Sequence, residues 1–339
     1  MKTSDFDYHL PSERIAQTPI EPRHASRLLI LRRNQEELKH SHFWELGEYL
    51  NPGDLLVINQ TRVIPARIFA RKDSGGRVEL LLIKRIDERT WEALGGGKRL
   101  TAGRKLSVEG GPGAEIIEAL DGSRRLVRFD DPVEPYLERI GQMPLPPYIH
   151  TPLVNPERYQ TVYATQPGSA AAPTAGLHFT PELMAKLEKM GIRFASVVLH
   201  VGLDTFAPVT EDDPEQHHIH TEWCELGQVA ADAINATRRT GNKVVAVGTT
   251  SVRTLESAGR TIQANGLLSP FSGPTDLFIL PGFTFRIVDA MITNFHLPRS
   301  TLLMLVSAFS GRERILAAYQ EAIRLEYRFY SFGDAMLIL

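Results

Sequence analysis

Four stretches of the chain concentrate residues able to move a proton or hold an anion. The first is 173–180, where Thr174, Gly176 and His178 lie in a loop that follows the small-residue run Gly168-Ser169-Ala170-Ala171-Ala172. Glycine and small side chains let a backbone approach a ligand closely. The second is 249–256, with Thr249, Thr250, Ser251, Arg253 and Glu256. Adjacent hydroxyls and a guanidinium suit a phosphate or a carboxylate, and helix capping accounts for only one of those hydroxyls. The third opens on Asp276, and the fourth, 293–298, sets Asn294 and His296 on either side of Phe295. The plain alternative for His178 is a hydrogen bond that steadies a loop. His217, His218 and His220 crowd Glu222, but their spacing does not match a helical zinc pair, so a polar loop and no metal is expected there.

These stretches need elements to hold them. Thr180 is an N-cap and Pro181 a first helical position, so a helix is predicted over 181–190. Residues 194–201 read as a buried strand that runs into Gly202, Asp204 and Phe206. A helix pattern covers 229–240, and the apolar run 243–248 reads as a central parallel strand. It ends at Thr249, and ligands of α/β sheets sit beyond the carboxyl ends of strands. Residues 275–282 look strand-like, Ser300 opens a buried helix, 319–329 reads as a helix and 333–339 as a last strand. Nearer the start, 26–31 and 54–59 read as strands and 43–50 as a short helix stopped by Asn51-Pro52-Gly53.

From Val63 to Asp130 the texture changes to short alternating runs separated by clusters such as Asp73-Ser74-Gly75-Gly76 and Gly110-Gly111-Pro112-Gly113. That spacing predicts a small antiparallel β-barrel. With α/β patterning on both sides, the barrel is an insert. The expected fold class is therefore an α/β main domain with a small inserted antiparallel β-barrel domain. The α/β domain takes 1–62 and 150–339; the insert takes 63–149, including a proline-rich return segment with Met143-Pro144-Leu145-Pro146-Pro147. Residues 62–105 hold twelve Lys or Arg and five Asp or Glu, although the whole chain of 339 residues carries a formal charge of −2. A basic barrel is a candidate nucleic-acid surface; a solvated strand face is its plain alternative.

The remaining composition narrows the classes. A single cysteine, Cys224, excludes an internal disulfide and a cysteine zinc site, and fits a reducing cytoplasm. The first residues are too polar and acidic for a signal peptide, and no apolar run reaches membrane-spanning length.

Taken together, ordered motifs along nearly the whole length carry a resemblance. They include Asp5-Phe6-Asp7-Tyr8-His9-Leu10-Pro11, Asn59 with Thr61-Arg62-Val63-Ile64-Pro65-Ala66-Arg67, residues 173–180 and His200-Val201-Gly202. They continue with Gly248-Thr249-Thr250-Ser251-Val252-Arg253, Thr275-Asp276-Leu277-Phe278-Ile279, Thr293-Asn294-Phe295-His296-Leu297-Pro298 and Gly333-Asp334-Ala335-Met336. The chain resembles the S-adenosylmethionine:tRNA ribosyltransferase-isomerases of queuosine biosynthesis. It departs from them at Asp204, where the family's run has glycine. The resemblance implies transfer and isomerisation of the ribosyl part of S-adenosylmethionine onto 7-aminomethyl-7-deazaguanine at the tRNA wobble position. Epoxyqueuosine forms, and adenine and methionine leave. It implies S-adenosylmethionine as a consumed substrate with no cofactor and no metal, and a cytoplasmic protein, expected as a monomer, that meets tRNA and no membrane.

That chemistry assigns expected roles. A proton beside the sulfonium must be removed, and neutral histidine is the usual base near pH 7, so His178 or His296 is the expected base. Asp276 or Glu256 is the expected acid or adenine partner. Arg253 would bind the methionine carboxylate or a tRNA phosphate. Thr174, Gly176, Thr249, Thr250, Ser251 and Asn294 would line and orient the substrate, and Arg71, Lys84 and Arg85 would meet RNA. Two rivals stand beside this reading. An S-adenosylmethionine-dependent RNA methyltransferase should show a glycine-rich turn after its early strand, where this chain has Asn59-Gln60-Thr61-Arg62. A non-catalytic RNA-binding protein could use the basic barrel, but would have no use for a polar loop after each α/β strand.

Overall fold

The computed structural model describes residues 1–202, 208–219, 221–262 and 266–339. Asp204 and His220 lie outside the described residues. The chain forms two compact units. One comprises Met1–Arg62, Pro147–Gln166 and Ala172–Leu339; the other comprises Val63–Pro146 and Pro167–Ala171.

The smaller unit is a closed six-stranded antiparallel barrel, built from Arg67–Lys72, Arg77–Arg85, Thr90–Gly96, Arg104–Val108, Gly113–Ala119 and Arg124–Phe129. Alternate residues point inward, as a strand period of two requires. Ile68 and Ala70, Leu80 and Leu82, Trp91 and Ala93, and Val127 and Phe129 are buried, while the residues between them are more exposed. Closure leaves no free strand edge. Within the proline-rich return segment, Glu134–Ile140 is a helix rather than an extended run, with Pro135 in its first turn, where a missing N–H does no harm.

The larger unit is built on a nine-stranded sheet. Its strand order is Phe271–Thr275, Glu222–Leu226, Arg193–Leu199, Leu55–Asn59, Val244–Val247, Ala290–Asn294, Ala335–Ile338, Arg27–Leu31, Leu38–His42. Arg193–Leu199, Leu55–Asn59, Val244–Val247 and Ala290–Asn294 run parallel, and Ala335–Ile338 pairs antiparallel with the last of them. The central strands are buried on both faces, which is why they read as continuous apolar runs. Successive residues supply opposite faces. Leu55, Val57, Val244, Ala246 and Met291 pack with Val252, Leu255, Ile234 and Leu303 from helices on one side. Leu56, Ile58, Val245, Val247 and Ile292 pack with Phe43, Leu46, Phe179, Leu183 and Leu187 on the other.

Three elements of this unit differ from the sequence reading. The strand near Asp276 is Phe271–Thr275, and 276–280 has no regular structure. Leu277 and Ile279 are buried and alternate as in a strand, but the pairing with Glu222–Leu226 ends at Thr275 opposite Glu222, so among the described residues the run after it has no partner strand. The late helix is Arg312–Arg324, and the chain leaves it through Glu326 at φ +60°. The 43–50 helix is of the tighter 3-10 type, Phe43–Tyr49.

Candidate active site

One cavity lies at the end of the sheet where Val244–Val247 and Ala290–Asn294 finish. Its lining includes Thr174, Thr249, Thr250, Asn294 and His296 from the residues singled out in sequence, with Tyr148, Thr293, Ser300, Tyr330 and Ser331. Thr249 and Thr250 open the helix Thr249–Gly259 directly after the central strand. Gly248 makes the turn at φ +86°, a backbone state that glycine adopts without strain. Asn294 ends its strand and His296 follows two residues later. Tyr330 and Ser331 precede Ala335–Ile338, whose antiparallel direction brings its start to this same end.

Hydrogen bonds fix the orientation of the polar groups. Asn294 Nδ2 lies 3.2 Å from the carbonyl oxygen of Tyr330, which can only accept, so this end of the amide is the donor. Its other hydrogen points to His178 Nε2 at 3.3 Å, and Thr174 Oγ1 donates to Asn294 Oδ1 at 2.8 Å. His178 Nε2 is therefore the acceptor nitrogen, and Nδ1 carries the proton toward Ser26 Oγ at 2.8 Å. His178 does not line the cavity; it stands behind Asn294, packed on Phe43 at 5.1 Å between ring centroids. His296 lines the cavity, with Nε2 2.7 Å from Thr293 Oγ1. That hydroxyl has a carbonyl acceptor, Asn294 O, at 3.3 Å, so it can receive the Nε2 proton and leave the lone pair on Nδ1. Tyr8 donates to the His296 carbonyl, and the His296 N–H donates to Tyr319 Oη at 3.0 Å.

Both histidines are neutral at physiological pH. Burial lowers His178 to about 3, helped by the positive charges of Arg328 and Arg23. Burial alone lowers His296 to about 3. Burial also raises the Tyr148 and Tyr330 phenols, so both remain protonated hydrogen-bonding groups.

Other residues marked in sequence are not among the cavity's lining. Arg253 is buried, donating from Nε to Leu277 O at 3.1 Å and pairing through Nη1 with Glu222, whose Oε1 accepts the Gly202 N–H at 2.8 Å. Glu256 accepts the backbone N–H groups of Arg286, Ile287 and Val288 at 2.9–3.0 Å. Burial raises its carboxyl above the ordinary value, while those three bonds pull it down. Asp276 is exposed and 3.9 Å from Arg260. Ser251 Oγ donates back to Val247 O. Gly176 is needed by packing, since a Cβ there would fall 2.0 Å from Tyr163 Oη. In the barrel unit, Arg71 pairs with Glu109 at 3.3 Å, Arg85 pairs with Glu134 at 2.8 Å, and Lys84 is exposed. His217 bonds Glu211 at 2.9 Å, and no group of three His, Cys, Asp or Glu among the described residues is placed to hold a metal ion.

Sequence reasoning missed Ser26, Tyr148, Thr293, Tyr330 and Ser331. Thr293 stands inside a stretch already marked. Ser26 and Tyr330 meet the site through long-range pairing that leaves no local pattern.

Comparison with known proteins follows the same outline. A family model described as queuosine biosynthesis protein matches residues 3–338. An S-adenosylmethionine:tRNA ribosyltransferase-isomerase of Carboxydothermus hydrogenoformans is 54% identical over 342 residues, covering 100% of each chain. The protein of the same name from Moorella thermoacetica is 52% identical over 345 residues, with 100% of each chain covered. A crystal structure of S-adenosylmethionine tRNA ribosyltransferase from Thermotoga maritima matches with TM-score 0.58 and 42% identity, covering 99% of this chain and 100% of that one.

Proposed function

The chain belongs to the queuosine biosynthesis protein family, and from that premise we propose that it is an S-adenosylmethionine:tRNA ribosyltransferase-isomerase working in the cavity of the larger unit. It transfers and isomerises the ribosyl moiety of S-adenosylmethionine onto 7-aminomethyl-7-deazaguanine at the tRNA wobble position. The product is epoxyqueuosine. Adenine leaves with the electron pair of its glycosidic bond, and methionine leaves with that of its carbon–sulfur bond.

The observation that carries the site is the convergence of Thr174, Thr249, Thr250, Asn294 and His296 on one cavity at a sheet end, where α/β proteins place ligands. His296 is the base for the proton beside the sulfonium. It faces the cavity, it is neutral, and Nδ1 is its acceptor atom in the tautomer that Thr293 permits. A buried imidazole is a weak base in isolation, and the sulfonium charge beside it favours loss of the carbon-bound proton. His178 acts one layer back: it holds Asn294, which holds Thr174. Tyr148 and Tyr330 are protonated donors on the cavity wall for the departing adenine.

S-adenosylmethionine is consumed, so the reaction calls for no cofactor and no metal. The proposed working unit is the monomer. No helix among the described residues is long and apolar enough to cross a membrane. A tRNA substrate supports a cytoplasmic location. Arg71, Lys84 and Arg85 of the barrel are the proposed RNA contacts.

Product analysis tests the reading. Incubation with S-adenosylmethionine and tRNA carrying 7-aminomethyl-7-deazaguanine should release adenine and methionine in equal amounts. S-adenosylhomocysteine instead would mean methyl transfer, and tRNA binding without turnover would mean a non-catalytic role.

A further inference from the structure

Within the cavity, the helix Thr249–Gly259 presents an N-terminus that its own chain leaves unfinished. The first N–H groups of any helix lack intrahelical acceptors. Here the N-cap is Gly248, which has no side chain to accept from them, and no side-chain cap is formed. Ser251 turns its hydroxyl back to Val247 O, so it does not cap these N–H groups. Thr249 and Thr250 both line the cavity, and each is only 8% exposed. Thr250 Oγ1 is buried and has no hydrogen-bond partner. A buried hydroxyl without a partner is costly and implies a group that is to come.

The shape of the turn keeps this corner open. A Cβ on Gly248 would lie 3.6 Å from both Thr250 Oγ1 and the Ala175 side chain. The two small residues, Gly248 and Ala175, thus leave room beside the hydroxyl for a compact ligand group. No Lys, Arg, Asp or Glu stands among the described lining residues. Arg253, the cation nearest in sequence, does not line this cavity; it bonds Glu222 and Leu277 through Nη1 and Nε, and only its Nη2 is without a partner. An anion entering this corner must therefore be met by backbone N–H groups, the helix dipole and the Thr250 hydroxyl, which together suit a small carboxylate.

We propose that the N-terminus of the helix Thr249–Gly259, with Thr250 Oγ1, receives the α-carboxylate of the methionine part of the sulfonium substrate. The inference rests on the ribosyl-transfer reading above. It replaces Arg253 as the carboxylate partner and fixes the substrate's direction. The amino-acid end lies against Thr249 and Thr250, and the sulfonium lies toward the remaining lining, which includes His296. Thr250 is a binding residue here and takes no part in proton transfer.

The test compares two substrates and two variants at saturating tRNA, following adenine release. S-adenosylmethionine is set against its decarboxylated analogue, which keeps the sulfonium and ribosyl parts. For the unaltered enzyme, kcat/KM should fall by about tenfold or more with the analogue, as expected when a charge-assisted hydrogen bond is lost. Thr250→Val should lower kcat/KM for S-adenosylmethionine by about tenfold through KM, and leave the analogue almost unchanged. Thr250→Ser, which keeps the hydroxyl, should restore most of the difference. Equal losses for both substrates in Thr250→Val, or an effect on the KM for tRNA alone, would overturn the carboxylate assignment while leaving ribosyl transfer standing. No adenine release from the unaltered enzyme with either substrate would overturn both.

Discussion

Replacing His178 separates a base from a positioning residue. The imidazole is 4% exposed and makes two buried bonds, Nδ1 to Ser26 Oγ at 2.8 Å and Nε2 from Asn294 Nδ2 at 3.3 Å. In His178→Ala both partners lose a bond while buried, at about 1–3 kcal/mol each. Asn294 keeps its bonds to Tyr330 and Thr174, so the lower end applies to it. The vacated space beside Phe43 adds a cavity cost. A loss of about 3–4 kcal/mol in urea unfolding is expected. Activity should fall by about tenfold to a hundredfold, because Asn294 no longer holds Thr174 in one orientation. In His178→Gln, the amide can accept from Asn294 and donate to Ser26, so stability and kcat should return to within about fivefold of the unaltered enzyme. The pH–rate profiles of His178→Gln and the unaltered enzyme should share one shape between pH 6 and 9. A stable His178→Gln protein as inactive as His178→Ala would refute the positioning role and make His178 the base.

Four further outcomes follow from the same geometry. The folded pKa values of His178 and His296 are lowered to about 3, below the unfolded value near 6.5, so the unfolded chain binds more protons between these limits. Their contribution is complete above about pH 6.5 and is lost as pH falls toward 3. Urea unfolding at pH 5.5 should show about 2–3 kcal/mol less stability from the pair than at pH 7.5, with about half of that slope gone in His178→Gln. Arg253→Met leaves Glu222 buried without its guanidinium, and should cost about 3–5 kcal/mol on thermal or urea unfolding; a loss below about 1 kcal/mol would contradict the buried pair. Gly248→Ala forces a side chain to φ +86°, and should destabilise by about 1–2 kcal/mol and raise the KM for S-adenosylmethionine. Neutralising Arg71, Lys84 and Arg85 together should raise the KM for tRNA more than that for S-adenosylmethionine, with a shallower salt dependence; an unchanged tRNA requirement would count against the barrel as the docking surface.

Much of the architecture was legible because its elements are locally consistent. The six barrel strands were marked by alternation and glycine turns, and the central strand by the run ending at Gly248. Thr180 caps its helix as read, accepting the Leu183 N–H. The difference at Asp276 has the same origin: burial alternates at Leu277 and Ile279, and periodicity cannot tell that the pairing with Glu222–Leu226 ends at Thr275. The site was half legible for a related reason. A loop that follows a strand can be recognised as ligand-side, which found Thr249, Thr250, Asn294 and His296, while a small-residue loop before a helix start found Thr174. Whether a polar side chain in such a loop points outward or inward depends on partners far along the chain. Arg253 turns to Glu222, Glu256 turns to the N–H groups of 286–288, and His178 bonds Asn294 and lines a separate cavity with Arg23 and Arg158. Ser26 and Tyr330, which complete the network around His178 and Asn294, lie more than a hundred residues and 36 residues away from their partners, with no local signal.

The central claim is that the ribosyl carbons of S-adenosylmethionine end up on tRNA through this one cavity. The direct measurement follows two isotopic labels, one in the ribose and one in the S-methyl group, into tRNA bearing 7-aminomethyl-7-deazaguanine, with the nucleosides analysed by mass spectrometry. The ribose label should appear in the wobble nucleoside and the methyl label in free methionine, and His296→Ala should abolish the transfer while the protein stays folded. Methyl label in the tRNA, or full ribosyl transfer by His296→Ala, would contradict the account.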